Sequence, residues 1–346
     1  MDGRSLGGDE ATGIGRYIHA LLAAFRESPA VSLRLYRHGG PRLIGPHLLT
    51  AARMRMDRTM LIHGPANALP LVDYGLPGVV TVHDLAIYDH PEWFPRGQWF
   101  ATRVVVPHSA RVARLVICPS EATMRAVVRI LGVPAERCRM IPHGVEADFG
   151  LPAAPAVVAE VRARYALPDR YLLQVGTVQP RKNYLTTLRA LARIPPAERI
   201  PLVVAGNFGW DYEPVIQAVA TLELKSWVRF IGYVGPGDLP PLYQLARAVA
   251  FPSLDEGFGL PILEAFAAGV PIAASTAGAI PEVAGDAALL SPPEDDVTLA
   301  ENLRRLIHDE PLRERQIAAG RVRAVRYTWP ASAEAHRRVY LEAAAA

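Results

Sequence analysis

Apolar positions along the chain follow a repeating rhythm: a short β-branched run, a Gly, Pro or Asp, then an amphipathic helical stretch. Leu115–Cys118, Pro201–Ala205 and Ala248–Phe251 are continuous apolar runs, and Tyr171–Val175 is broken only by Gln174, as expected of parallel strands covered on both faces. Val31–Tyr36, Val79–Val82, Val228–Ile231 and Pro271–Ala274 also read as buried strands, with polar positions at Ser32, Arg34, Thr81 and Arg229. Helical periodicity occupies Gly15–Phe25, Glu121–Leu131, Tyr184–Arg193, Pro240–Leu245 and Pro261–Ala268. Strands alternating with helices predict βαβ units and an α/β fold of doubly wound parallel sheets.

The alternation runs twice. One series ends near Ile141, a Pro/Ala-rich stretch follows at Leu151–Ala156, and a fresh strand begins at Tyr171. This places a boundary at about residue 150, with domains 1–150 and 151–328 and a closing helix over 329–346 that starts at Trp329-Pro330. A length of 346 residues suits two domains. Only the largely polar Met1–Ala11 precedes the loop Thr12–Tyr17, so a truncated first strand is expected, with the native start upstream.

Composition narrows the classes. Half the residues are hydrophobic and 21% charged, the balance of a soluble globular protein. The net charge of +3 comes with no basic nucleic-acid motif, so no nucleic-acid partner is expected. No apolar stretch approaches a membrane span, and the N-terminus lacks a secretory pattern. Cys118 and Cys138 stand in neither metal-ligand nor redox spacing, which argues for a reducing, cytoplasmic setting without disulfides.

Open parallel sheets bind ligands at loops beyond the carboxyl ends of their strands. Gly13-Ile14-Gly15-Arg16-Tyr17 opens a helix and suits close approach of an anion, although an ordinary tight turn explains it equally well. After Val175, Gly176–Asn183 carries Arg181 and Lys182. Cations there oppose the dipole of the helix that follows, and of 37 Lys plus Arg only Lys182 and Lys225 are lysine. Both points favour a diphosphate partner over a merely solvated turn. Asp255–Glu264 places Glu256 before a helix and Glu264 inside it, with Pro261 at a first helical position. Paired carboxylates suit vicinal sugar hydroxyls, while dipole compensation is the plain alternative for Glu264. His83, at the end of Val79–Val82, could donate to a sugar or phosphoryl oxygen, though a lone histidine is more often structural.

Taken together the loops resemble glycosyltransferase family 4. The resemblance rests on Glu256-x7-Glu264 enclosing Gly-Phe-Gly-Leu-Pro, and extends over the Gly13–Tyr17 loop, Val82–Leu85, Pro119–Glu121, Ile141–Val145, Arg181-Lys182, Gly232-Tyr233, Phe251–Ser253, Gly278–Val283 and the Trp329 helix. It implies the GT-B fold: two Rossmann-like domains facing an interdomain cleft, with the C-terminal helix crossing back to the first. It also implies that Lys182, with Arg181, Gly13 and Gly15, meets the donor diphosphate. Glu264 then holds the ribose, Tyr233 and Val234 the base, and Glu256, His83 and the backbone of Phe258, Gly259 and Leu260 the transferred sugar, with His83, Glu256 and Lys182 as the catalytic group. The sequence departs from the family where Thr177 replaces a frequent Arg, Asp255 a frequent aromatic and His143 a frequent Asn.

The activity so implied is retaining hexosyl transfer from a nucleotide-diphosphate sugar, with GDP-mannose favoured over a UDP-sugar and no metal or other cofactor. The acceptor is a glycan or a lipid-linked glycan in polysaccharide or glycolipid synthesis. A lipid-linked acceptor would bring transient contact with the inner face of the membrane, although no strong basic amphipathic helix is legible. A nucleotide-sugar epimerase, a nicotinamide-dependent oxidoreductase and a catalytically silent sugar-binding protein are the competing readings.

Overall fold

A computed structural model describes residues 1, 13–26, 31–36, 47, 49–73 and 75–345. The chain divides into two compact units, Met1–Gly144 with Trp329–Ala346, and Val145–Thr328. The two units meet at Gly144/Val145, a few residues before the expected linker. The Pro/Ala stretch is built into the second unit: the Gln244 side chain bonds to the backbone of Phe149, Leu151 and Ala153, and Pro155 begins a helix reaching Arg164. Val145 and Thr328 pair as a parallel bridge, so the chain enters and leaves the second unit side by side.

In the first unit β1 (Ile62–Gly64), β2 (Gly78–Thr81), β3 (Leu115–Cys118) and β4 (Cys138–Met140) form a parallel sheet in the order 1-2-3-4. β2 and β3 are buried at every residue, as their unbroken apolar runs require. β1 and β4 escape a reading by periodicity because each has three residues and includes His63 or Arg139. Val31–Tyr36 forms no strand; its backbone meets Met1, with Tyr36 N donating to Met1 O at 3.0 Å. The expected first strand and Thr12 lie outside the described residues. Cys118 and Cys138, twenty positions apart, come within hydrogen-bonding reach across β3 and β4 as free thiols.

Helix Gly13–Arg26 buries Tyr17, Ile18, Leu21 and Phe25, spaced to form one face. That face packs with the C-terminal helix Trp329–Ala345 in a shared core that includes Val79, Ile117 and Tyr340. A single hydrogen-bond chain runs through this core, and each proton in it has a determined position. His336 Nδ1 donates to the Ser332 carbonyl at 2.7 Å, so its Nε2 accepts from the Tyr17 hydroxyl at 2.8 Å. Tyr17 then accepts from Thr81 at 3.0 Å, Thr81 accepts from His63 Nε2 at 2.8 Å, and His63 Nδ1 accepts from Tyr340 at 2.8 Å. Both ends of the chain belong to the C-terminal helix, which is thereby fastened to β1, β2 and the first helix.

The second unit holds β5 (Leu172–Val175), β6 (Leu202–Ala205), β7 (Val228–Gly232), β8 (Ala248–Phe251), β9 (Ile272–Ser275) and β10 (Leu289–Ser291). All pair in parallel, in the order 10-9-8-5-6-7, with one apolar core on each face. The chain winds outward from β5 to β7, returns to β8, and winds outward the other way.

The proton chain works only while its histidines are neutral. Burial lowers His336 to about 4 and holds His63 well below its usual value. A depressed histidine leaves the folded state fully stable above its unfolded value near 6.5, and the unfolded state gains protons first as pH falls. His336 alone accounts for about 3 kcal/mol of stability lost between pH 6.5 and 4. Thermal melting across that range should show a steep fall in midpoint, and a flat profile from pH 7 to 5 would contradict the assignment.

Candidate functional site

Because the chain leaves β5 toward β6 but reaches β8 on the opposite side, the loops after β5 and β8 diverge at a topological switch point, where open parallel sheets receive ligands. After β5, Gly176 turns the chain with φ +139°, and a Cβ there would lie 3.3 Å from the Lys182 stem. Pro180–Lys182 forms one 3₁₀ turn, and Asn183, left-handed at φ 54°, leads into helix Tyr184–Arg193. The Asn183 amide donates to the carbonyls of Pro252 and Pro293 at 2.9 and 2.7 Å, and Leu254 N donates to Arg181 O at 2.8 Å. The two loops are thus stitched together.

This stitching brings three charges into contact. Lys182 Nζ lies 2.6 Å from Glu256 Oε1, and Arg181 Nη1 lies 3.2 Å from Glu256 Oε2. All three side chains are largely buried, at 14, 14 and 9% exposure for Lys182, Arg181 and Glu256. Burial pushes the Glu256 carboxyl up, but Lys182 and then Arg181 outweigh it and hold the group below its usual value. Glu256 is therefore a carboxylate. Lys182 also stands 5.3 Å over the Phe251 ring.

Gly259, at φ +102°, ends the loop and caps helix Leu260–Ala267, with Pro261 in its first turn as the sequence predicts. The Phe258 ring is buried, packed edge-on against Tyr327 at 5.9 Å, so this residue faces the loop through its backbone. Glu264, one turn into the helix, is 1% exposed and accepts from the Tyr243 hydroxyl at 2.7 Å. Tyr243 escapes sequence reading because it looks like any aromatic on a buried helix face. Beyond β7, Tyr233 is half exposed and donates its backbone N–H to Asn207 Oδ1 at 3.1 Å, while the Val234 side chain joins the core.

The first unit carries the remaining expected residues. Gly13–Tyr17 lies in the helix Gly13–Arg26, of which Gly13 is the first described residue, and Gly15 is buried. His83 follows β2, and its ring is occupied on both sides. Nε2 bonds to the Pro65 carbonyl at 2.7 Å, which leaves Nδ1 to accept from His143 Nε2 at 3.3 Å. Donation by His83 to a substrate therefore requires the Pro65 bond to open, a correction to its reading as an available donor. Burial keeps both rings neutral, His143 the more strongly depressed.

Residues 14–149 match glycosyltransferase family 4, and residues 159–323 match glycosyl transferases group 1. The O-antigen chain mannosyltransferase B of Escherichia coli is 32% identical over 315 residues, covering 90% of this chain and 80% of that protein. Among solved structures, sucrose-phosphate synthase from Thermosynechococcus elongatus superposes with a TM-score of 0.77 at 22% identity, over 96% of this chain and 93% of that one. Anabaena HepE in complex with UDP and glucose gives 0.73 at 22% identity, over 90% and 86%. The shared architecture is the GT-B fold.

Gly278, at φ +53°, is the point most sensitive to added bulk. A Cβ there would lie 2.1 Å from Asp255 Oδ1 and 2.5 Å from Glu256 O. Gly278→Ala should cost about 1–3 kcal/mol of stability from backbone strain alone and should displace Glu256. Melting and nucleotide binding should both suffer, whereas Gly237→Ala, where a Cβ meets nothing within 4 Å, should be silent. Equal behaviour of the two variants would show that the Gly278 contact does not shape the site.

Proposed function

The chain belongs to glycosyltransferase family 4 and is a hexosyltransferase, and from that premise we propose that it transfers a mannosyl group from GDP-mannose to a hydroxyl of a glycan or lipid-linked acceptor, retaining the anomeric configuration. The mannosyl choice follows the name of the Escherichia coli relative. The observation that carries the reading is the Lys182–Glu256–Arg181 cluster at the switch point.

A departing nucleoside diphosphate gains negative charge as the glycosidic bond breaks. Lys182 and Arg181, with the N-termini of helices Tyr184–Arg193 and Leu260–Ala267, are the groups in this unit suited to stabilise it, in the role a metal ion plays in other transferases. The anomeric carbon meanwhile acquires oxocarbenium character. Glu256, held ionised, accepts from hydroxyls of the transferred sugar and lends negative potential, without serving as an obligatory nucleophile. A donor phosphate oxygen takes the acceptor proton as attack proceeds on the face the diphosphate leaves. Glu264 holds the ribose, the backbone at Tyr233 and Val234 meets the base, and the backbone of Phe258, Gly259 and Leu260 contacts sugar or phosphate. Gly13 and Gly15 retain a diphosphate role through close backbone approach, and His83 a sugar contact once the Pro65 bond opens. Among the described residues no helix is long and apolar enough to cross a membrane. A cytoplasmic protein in transient contact with the inner membrane face fits a lipid-linked acceptor.

Lys182→Ala should lower kcat at saturating donor by roughly 10²–10³-fold, the usual cost of removing a donor aimed at developing negative charge. Breaking one side of a buried ion pair costs about 3–5 kcal/mol, so melting must accompany the assay to show that the variant is folded. An unchanged kcat refutes the leaving-group role. In thermal-shift titrations GDP should stabilise the protein more than UDP at equal concentration. The reverse order would move the donor assignment to a UDP-sugar.

A further inference from the structure

Gln174 is the one polar side chain of β5 and is 2% exposed. By strand alternation it shares the face of Leu172, over the core that also holds Val178, Tyr184 and Leu188. Its Nε2 donates to the Lys182 carbonyl at 3.0 Å, while no group among the described residues meets its buried Oε1. An amide oxygen buried without a partner costs stability, so an apolar side chain of similar size would suit this strand better. The one hydrogen bond Gln174 makes falls on the residue whose ammonium meets Glu256. Residues that lower stability for the sake of a site are a familiar trade.

The surrounding contacts hold the same turn. Leu254 N donates to the Arg181 carbonyl at 2.8 Å, and the Tyr184 hydroxyl donates to the Gly176 carbonyl at 2.6 Å. The Lys182 stem passes over Gly176, where a Cβ would stand 3.3 Å from Lys182 Cε. A lysine carries its charge on a flexible four-carbon stem, so its fit to a small anion depends on how firmly the base of the stem is placed. Glu256 and the Phe251 ring fix the tip of the side chain, and Gln174 fixes its root.

We propose that Gln174 is a positioning residue for the transfer reaction: by holding the Lys182 carbonyl from beneath, it sets where the ammonium meets the terminal phosphate of a nucleoside diphosphate. The assignment rests on the reading of Lys182 as a diphosphate ligand and adds a buried residue that reaches the donor only through it.

Gln174→Met keeps an unbranched side chain of similar size and removes both the donor and the unmet oxygen. Calorimetric titration with GDP against GMP, and with UDP against UMP, compares ligands that differ only in the terminal phosphate. In the variant the preference for the diphosphate should fall roughly threefold to tenfold, the worth of one hydrogen bond, and kcat at saturating donor should fall with it. The melting temperature should stay unchanged or rise. Thr187→Val removes another buried hydroxyl that has no partner among the described residues, on the helix Tyr184–Arg193, and should match that melting behaviour while keeping the diphosphate preference in full. A lower melting temperature for Gln174→Met, an undiminished preference, or an equal loss of preference in Thr187→Val overturns the proposal. Wild-type protein indifferent to the terminal phosphate would instead remove the reading of Lys182, and the positioning role with it.

Discussion

A buried carboxylate stays charged only where close cations or hydrogen-bond donors replace its lost hydration, and in the second unit that constraint shapes the surroundings of Glu256. Its partners, Lys182 and Arg181, come from a loop far away in sequence, after β5, yet lie within 2.6 and 3.2 Å because β5 and β8 are neighbours in the sheet. The loop after β9 lies against the Asp255–Glu256 turn because glycine occupies 278, where a Cβ would stand 2.1 Å from Asp255 Oδ1. Asn183 then binds the β5 loop to Pro252 and Pro293. The cluster is expensive to desolvate, and replacing such ion pairs with apolar groups is often neutral or stabilising. On the proposed reading its value is chemical: two cations and one anion would meet a ligand that carries a diphosphate next to a sugar.

The first unit solves its own burial problem by the opposite means. His63, His83, His143 and His336 are held neutral, and polarity is satisfied through directed hydrogen bonds rather than charges. Every proton in the Tyr340–His63–Thr81–Tyr17–His336 chain is assigned by one terminal fact, that His336 faces the Ser332 carbonyl. The unit therefore combines a cohesive apolar core with sensitivity to acid, while the charged cluster of the other unit relies on ionised groups.

Much of this was legible in the sequence where a long apolar run or a glycine-led loop carried the signal. The strands Leu115–Cys118 and Ala248–Phe251 and the helices Glu121–Leu131 and Tyr184–Arg193 fall where periodicity places them. Three-residue strands such as Cys138–Met140 lie below the length at which a pattern can form. Lysine scarcity singled out Lys182, and the structure pairs it with Glu256. The tie between Glu264 and Tyr243, the occupied ring of His83 and the nearness of Cys118 to Cys138 depend on which strands and helices become neighbours, a matter of topology that local spacing does not encode. Glycines near a helix start look the same in sequence whether they precede its first turn or form it, so spacing alone does not place Gly13–Tyr17 within the helix.

The central claim is that Lys182 meets the β-phosphate of a nucleoside diphosphate while Glu264 grips its ribose. Calorimetric titration with GDP and GMP tests it most directly, using wild-type protein, Lys182→Ala and Glu264→Ala. Wild-type protein should prefer the diphosphate, Lys182→Ala should lose that preference, and Glu264→Ala should weaken both nucleotides alike. If Lys182→Ala weakened GDP and GMP by the same factor, the lysine would not be reading the terminal phosphate, and the account would be wrong at its root.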